Sequence, residues 1–211
     1  MAPCLARDAI SLEPVATFHT GVYKQSAAEI PSYCAKTQRI FVVNAESGRV
    51  DVLKLGDDGG LTKVASIDAA ADLSDSLSAV NSVSVCNGTL AVAVEAAILT
   101  DPGRLAFYDT QTLTLKGSIK AGALPDMVTF TPDGRWVLVA NEGEPNEDYT
   151  IDPEGTITIA NVQNGFEQPT VRTVTFREWN ADGKHAHHVS GLKERGLRIV
   201  GQISSPGDLK Q

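Results

Sequence analysis

Hydrophobic positions along this chain recur in short bursts with a period of two, punctuated by turn-forming residues and not by helical stretches. Three segments superimpose on one another. They open Glu29-Ile-Pro-Ser-Tyr33, Asn81-Ser-Val-Ser-Val85 and Asp126-Met-Val-Thr-Phe130, each a polar residue followed by a short alternating strand. A tight turn follows each opening, at Ala35-Lys-Thr-Gln38, Asn87-Gly88 and Pro132-Asp-Gly134. Asn-Gly and Asp-Gly supply the positive φ that hairpin turns require. A strongly apolar second strand comes next, over residues 40–44, 90–95 and 136–141. Continuous apolar runs of that length suit strands buried on both faces. A loop ending in glycine (Gly48, Gly103, Gly155) then leads into a third strand over 49–53, 104–108 and 156–160. A weaker fourth strand over 63–67, 115–119 and 172–176 closes each unit.

Four strands per unit, spaced 52 and 45 residues apart by Glu29, Asn81 and Asp126, is the signature of β-propeller blades. A β-sandwich has a similar strand count but does not require unit-to-unit correspondence. The expected fold is therefore all-β: a partial propeller of about three four-stranded blades, from a parent ring of roughly seven. The expected organisation is an N-terminal extension over 1–14, blades within 15–176 (about 28–69, 80–122 and 125–176), and an irregular start of a next blade over 177–211. The stretch Val15-Ala-Thr-Phe-His-Thr20 resembles the fourth strands and reads as a strand of the closing blade.

Composition sharpens this picture. The formal net charge is −8, which argues against non-specific nucleic-acid binding. Residues 1–171 hold 22 acids and 11 bases, whereas 172–211 hold 4 acids and 7 bases, marking the last segment as a different unit. Cys4, Cys34 and Cys86 are odd in number and form no C-x-x-C pair, so neither a disulfide framework nor a cysteine zinc site is indicated. No run reaches membrane-span length, and the first residues lack an apolar core of signal-peptide length.

Candidate chemistry follows from the blade geometry. The start of each first strand and the loop between second and third strands share one face of the ring. Glu29, Asn81 and Asp126 start the first strands; Asn44, Glu95 and Asn141 end the second strands. The second-to-third loop of the last unit, 142–155, holds six acids and no base. Clustered carboxylates without a basic partner are easier to hold together around a hard cation such as calcium. The alternative is a solvated acidic surface loop, and the spacing does not fit an EF-hand. The candidate ligands are Asp126, Glu142, Glu144 and Asp152, with Glu29 and Glu95 on the same face. His185, His187 and His188 read as an exposed loop. Asn87-Gly88-Thr89 is formally a glycosylation sequon, but the hairpin turn accounts for it. No G-x-S-x-G, phosphate loop or dinucleotide fingerprint is present.

Several stretches resemble one family. They are Thr20-Gly-Val-Tyr23 with Ala27-Ala-Glu-Ile30, Phe41-Val-Val-Asn-Ala45, and above all 122–134 running on to Val139-Ala-Asn-Glu-Gly-Glu-Pro145 and Asp152-Pro-Glu-Gly155. They are similar to the choice-of-anchor I propellers, over residues 11–162 and more weakly to Asp208-Leu209. That family includes bacterial surface or exported proteins and mesenchyme-specific cell-surface glycoproteins, and some bacterial relatives carry the label alkaline phosphatase. The resemblance implies a seven-bladed type of ring, roughly twice this chain, and an extracellular or cell-surface location. Relatives continue past the point corresponding to Gln211 into further blades. Two functional readings result. One is a non-enzymatic surface module presenting acidic loops to a cation, mineral, polymer or protein. The other is a metal-dependent phosphoesterase using the same carboxylates. Uncovered blade faces imply self-association or poor solubility.

Overall fold

The computed structural model describes residues 11–73, 76–180 and 182–197. Three consecutive antiparallel sheets account for its strands. The first blade comprises β1 (Pro31–Cys34), β2 (Arg39–Asn44), β3 (Arg49–Leu55) and β4 (Leu61–Ile67). The second comprises β5 (Leu77–Cys86), β6 (Thr89–Ala96), β7 (Pro102–Asp109) and β8 (Leu115–Ala123). The third comprises β9 (Pro125–Phe130), β10 (Trp136–Asn141), β11 (Thr156–Asn161) and β12 (Thr170–Thr175). Within each sheet the strands lie in chain order. Short hairpins force this, because each strand can pair only with the one just before it. A short helix, α1 (Ala69–Leu73), joins the first blade to the second.

The turn chemistry appears where the residues dictate it. Asn87 and Gly88 take φ of 48° and 80°, the paired positive values of a two-residue hairpin loop. At the Pro132-Asp133-Gly134 turn only Gly134 is left-handed, at 69°. Asp133 remains right-handed and caps the turn by accepting from the Thr131 hydroxyl and the Arg135 N–H.

Blades stack face to face through two apolar seams. Between the first and second, Phe41, Val43, Val52, Val92, Val94 and Tyr108 are sealed from solvent. Between the second and third, Ala93, Leu105, Phe107, Val137, Val139 and Ala160 are. Each fully buried Val, Leu or Phe contributes about 1.5–3 kcal/mol. A lone four-stranded sheet cannot bury both faces, so stacking is what holds the blades together. Hydrogen bonds fix the stacking register around the channel. The Val85 N–H donates to Ser32 Oγ (2.9 Å) and the Val128 N–H to Ser82 Oγ (3.1 Å), linking β1 to β5 and β5 to β9. Lower down, the Arg39 guanidinium donates to the Thr110 and Gln111 carbonyls, both at 2.7 Å.

One expectation is corrected. Residues 15–20 form no strand. Val15 is 82% exposed, and no described strand lies alongside to complete its hydrogen bonds, without which a closing strand has no ladder to join. The described stretch beyond 176 carries short local elements. It holds two 3-10 turns, Arg177–Trp179 and Ala186–His188, and a helix, α2 (Val189–Glu194). Cys4, the start of the N-terminal extension and the weak resemblance at 208–209 lie outside the described residues. Cys34 and Cys86 are free thiols, the first buried and the second half-buried.

Candidate functional site

Strand pairing shows which positions the repeat makes equivalent. Arg49, Arg104 and Thr156 each follow the loop glycine (Gly48, Gly103, Gly155) on the third strands, and their cross-strand partners are Asn44, Val94 and Asn141. Glu95 therefore lies one residue beyond the Asn44 and Asn141 position, and its counterpart in the third blade is Glu142. This corrects the grouping of Asn44, Glu95 and Asn141 as one set. A one-residue shift in a strand turns a side chain to the opposite face of the sheet. Asn44 and Asn141 point back towards the preceding blade, where Asn44 donates to Asp51 Oδ2 (3.0 Å) and Asn141 to Thr158 Oγ1 (3.0 Å). Asn141 also accepts from the Gly122 N–H of the second blade at 3.0 Å.

Asn81 and Asp126 are equivalent in detail. Pairing of β5 with β6 skips Asn81 between Val80 and Ser82. Pairing of β9 with β10 likewise skips Asp126 between Pro125 and Met127. Both residues are the extra residue of a β-bulge, a feature that re-aims a side chain. Glu29 precedes β1 at the corresponding place, its N–H donating to the Val43 carbonyl at 3.0 Å. The bulge position thus sits beside one equivalent position at the far end of the second strand: Asn81 beside Glu95, Asp126 beside Glu142.

What the two blades do with this pair differs. In the second, Glu95 is satisfied: it accepts from the Asn81 amide (3.1 Å) and the Ser78 hydroxyl (2.9 Å). The same Asn81 amide reaches across to the Pro125 carbonyl at 3.2 Å. In the third, the amide is replaced by the Asp126 carboxylate. Burial first, then the Asp126 and Glu144 charges, push the Glu142 carboxyl above the usual range. Among the described residues no hydrogen bond or ion pair engages the side chains of Asp126, Glu142 or Glu144.

The backbone explains why Glu142 and Glu144 are held at the base of the loop. The Glu142 and Gly143 N–H groups donate to the Leu124 and Ala123 carbonyls (2.9 and 3.2 Å), tying the loop to the link between β8 and β9. Gly143 has φ of 68°, and a Cβ there would meet the Pro153 carbonyl at 2.6 Å. Only glycine fits. The other acids of the loop are placed elsewhere. Asp148 accepts from the Thr150 hydroxyl at 2.7 Å in a local turn, and Arg177 Nε bonds both oxygens of Glu154 at 2.8 and 2.7 Å. Asp152 is exposed and joined to neither acid of the pair. Among the described residues no three His, Cys, Asp or Glu side chains converge closely enough to hold a metal ion. The charges of Asp126 and Glu144 act on Glu142, and Glu29, Glu95 and Asp152 are not among the groups that do.

The histidines gather around an aromatic ring. Trp179 stacks on His185 (centroids 4.9 Å apart), His187 lies 3.9 Å from His188, and Glu178 holds Lys184 and His185. Sequence alone gave no sign of the Trp179 stack, because its members are joined by the 3-10 turns. On the hairpin side, a groove of about 540 Å³ between the second and third blades is lined by Cys86, Lys116, Arg135 and Phe166 among others.

Three four-stranded antiparallel units in chain order, stacked face to face, define a run of β-propeller blades. The choice-of-anchor I domain matches residues 29–209, and the chain belongs to that family. No curated protein sequence matches it. Among solved structures it is similar to a putative 6-phosphogluconolactonase of Bacteroides fragilis, at 16% identity and a TM-score of 0.54, covering 71% of this chain and 39% of that one. Hydrazine synthase of Kuenenia stuttgartiensis aligns at 16% identity and a TM-score of 0.49, covering 70% of this chain and 37% of that one. The Dos1 propeller aligns at 8% identity and a TM-score of 0.39, covering 70% and 48%. These likenesses concern the fold alone. The chain spans less than half the length of each of these structures. Among the described residues no helix is long and apolar enough to cross a membrane.

Proposed function

We propose that this chain is a non-enzymatic propeller module of the cell surface or extracellular space, whose ring face presents Asp126, Glu142 and Glu144 to a cationic ligand; the three side chains do not converge on one metal position in the free chain, so binding of calcium, the simplest such ligand, requires them to swing together around it. One observation carries the reading. Where the second blade satisfies its carboxylate with an amide, the third blade substitutes a second carboxylate and adds a third from the same loop. Like charges held close by a rigid scaffold raise the energy of the free protein, and a cation relieves it. The surface location rests on the family resemblance. Membership of the family does not itself specify a ligand.

Calorimetric titration of calcium at low ionic strength tests the proposal. Binding heat together with a raised melting temperature is expected in the wild type, lost in Glu142→Gln and retained in Asp152→Asn. Absence of both heat and thermal shift in the wild type removes the cation site. The phosphoesterase reading needs a basic group facing the carboxylates to neutralise phosphoryl oxygens. The basic side chain that reaches this loop, Arg177, is engaged by Glu154, so the binding module is preferred.

A further inference from the structure

The two seams between blades are built differently at the hairpin end, and the difference leaves a basic groove. Cross-strand pairing makes Arg39, which opens β2, equivalent to Thr89, which opens β6. In the first seam the Arg39 guanidinium spans to the second blade and is consumed by the Thr110 and Gln111 carbonyls, both at 2.7 Å. In the second seam Thr89 is too short to do the same. Lys116 comes in beside it instead, its Nζ donating to the Thr89 hydroxyl at 3.0 Å. Pairing of β7 with β8 sets Phe107 opposite Gly117 and Tyr108 opposite Leu115. Lys116 is thus the extra residue of a bulge, a device that re-aims a side chain. Gly117 behind it lets the 163–168 loop of the third blade fold onto β8, because a Cβ there would collide with the Phe166 carbonyl. That approach seats Phe166 against Phe107, centroids 5.0 Å apart, with Lys116 Nζ 4.4 Å from the Phe166 centroid.

Lys116, Arg135, Phe130 and Phe166 line the resulting groove of about 540 Å³. The Lys116 ammonium meets a hydroxyl and a ring but, among the described residues, no carboxylate within 4 Å. Asp109 feels its charge, yet that carboxylate already accepts from the Gln111 and Thr112 N–H groups, both at 2.8 Å. Arg135 is exposed and reaches Asp133 only at 3.9 Å, while Asp133 is occupied by the Thr131 hydroxyl and the Arg135 N–H. Two cationic donors without a close carboxylate thus share a groove with two aromatic rings. We propose that this groove binds a small organic anion with a flat apolar body, its carboxylate or phosphate held by Lys116 and Arg135 and its ring laid against Phe130 and Phe166. An oxyanion forms charge-assisted hydrogen bonds with both donors, and Arg offers it a planar fork. The aromatic walls reward burial of a ring. Thr89 and Glu95 stand at opposite ends of β6, so the groove lies at the other end of the strands from the acidic rim, and neither site depends on the other.

Titration of phenyl phosphate into the 15N-labelled 211-residue chain, followed by amide chemical shifts, tests this. Inorganic phosphate and benzyl alcohol serve as its two halves. Shifts are expected at Lys116, Gly134 and Gln163, which line the groove, and phenyl phosphate should bind at least about tenfold tighter than either half. Lys116→Met keeps the chain lying on Phe166 and removes the charge. It is expected to weaken phenyl phosphate at least about tenfold, whereas Lys116→Arg retains binding, which separates lost charge from lost packing. Circular dichroism checks that each variant folds. No shift at about 10 mM phenyl phosphate, a concentration above the millimolar dissociation constants of weak ligands, overturns the proposal. So does equal affinity in Lys116→Met and wild type. Inorganic phosphate binding as tightly as phenyl phosphate overturns it too, since the rings would then take no part.

Discussion

Replacing Asp126 with Asn rebuilds in the third blade the pairing that the second already contains. The bulge accepts Asn, because Asn81 occupies its equivalent. The new amide donates to Glu142 as Asn81 does to Glu95 at 3.1 Å. Two terms change together. Removing a neighbouring like charge is worth at most about 1 kcal/mol when solvent screens the pair. A hydrogen bond to a carboxylate contributes about 1.5–3 kcal/mol when buried, and well under half of that here, because Glu142 is exposed. The expected net stabilisation is about 1 kcal/mol, or a rise of roughly 2–4 °C in melting temperature for a chain of this size. The pH dependence fixes the cause. The Glu142 carboxyl is raised in the fold, so its charge costs stability above that raised value, and the cost disappears as pH falls through it. The advantage of Asp126→Asn over wild type should therefore shrink on acidification and also in about 1 M salt. Thermal melts across pH at low and high ionic strength measure both. A variant less stable than wild type at neutral pH, or an advantage that grows on acidification, refutes the reasoning.

Two further predictions bear on how the rim and the first blade are held. Gly143→Ala forces a Cβ to within 2.6 Å of the Pro153 carbonyl at a left-handed backbone position. It should cost about 2 kcal/mol and weaken any cation binding, read by a denaturant melt and the same calcium titration. Asp51→Asn removes the charge that Lys63 meets at 2.7 Å and should cost about 2 kcal/mol, discounted because Lys63 is 41% exposed. Burial works to raise the Asp51 carboxyl, but hydrogen bonds from Lys63, Asn44 and Ser66 outweigh it and hold the group below its ordinary value. That contribution is present above the ordinary carboxylate range and lost as pH falls through the depressed value. The difference between wild type and Asp51→Asn should accordingly vanish in acid.

How much of this was legible in the sequence depends on how local each cause is. The strands and hairpins were, since Asn87-Gly88 and the alternation around them determine their own conformation. The equivalence of Glu29, Asn81 and Asp126 was visible too, because the polar residue and the strand behind it move together. The Glu95 placement was not. Aligning the ends of second strands by eye put Glu95 with Asn44 and Asn141, whereas cross-strand pairing sets it with Glu142. A bulge adds a residue without changing composition, so register there is settled by partners distant in sequence. The Arg177 bond to Glu154 was hidden for the same reason, and the Trp179 stack because irregular 3-10 turns, which leave no periodic signal, bring its members together. The strand expected at 15–20 had the right pattern, but pattern cannot supply a partner.

Repetition also explains how the proposed binding face follows from so small a change. The second and third blades share one backbone plan, in which the bulge residue of the first strand meets one position at the far end of the second. With amide and carboxylate, as at Asn81 and Glu95, the meeting is a closed hydrogen bond that ties the second blade to Pro125 of the third. With two carboxylates, the same backbone presents charge that no neighbouring donor among the described residues neutralises. Changing Asn to Asp at this position exchanges only an amide for a carboxylate, yet it converts a contact that stabilises the stack into one that seeks something from outside. Reciprocal substitution separates the two roles. Asn81→Asp should destabilise the second blade by breaking both bonds of that amide, while Asp126→Asn stabilises the third and abolishes its attraction for cations.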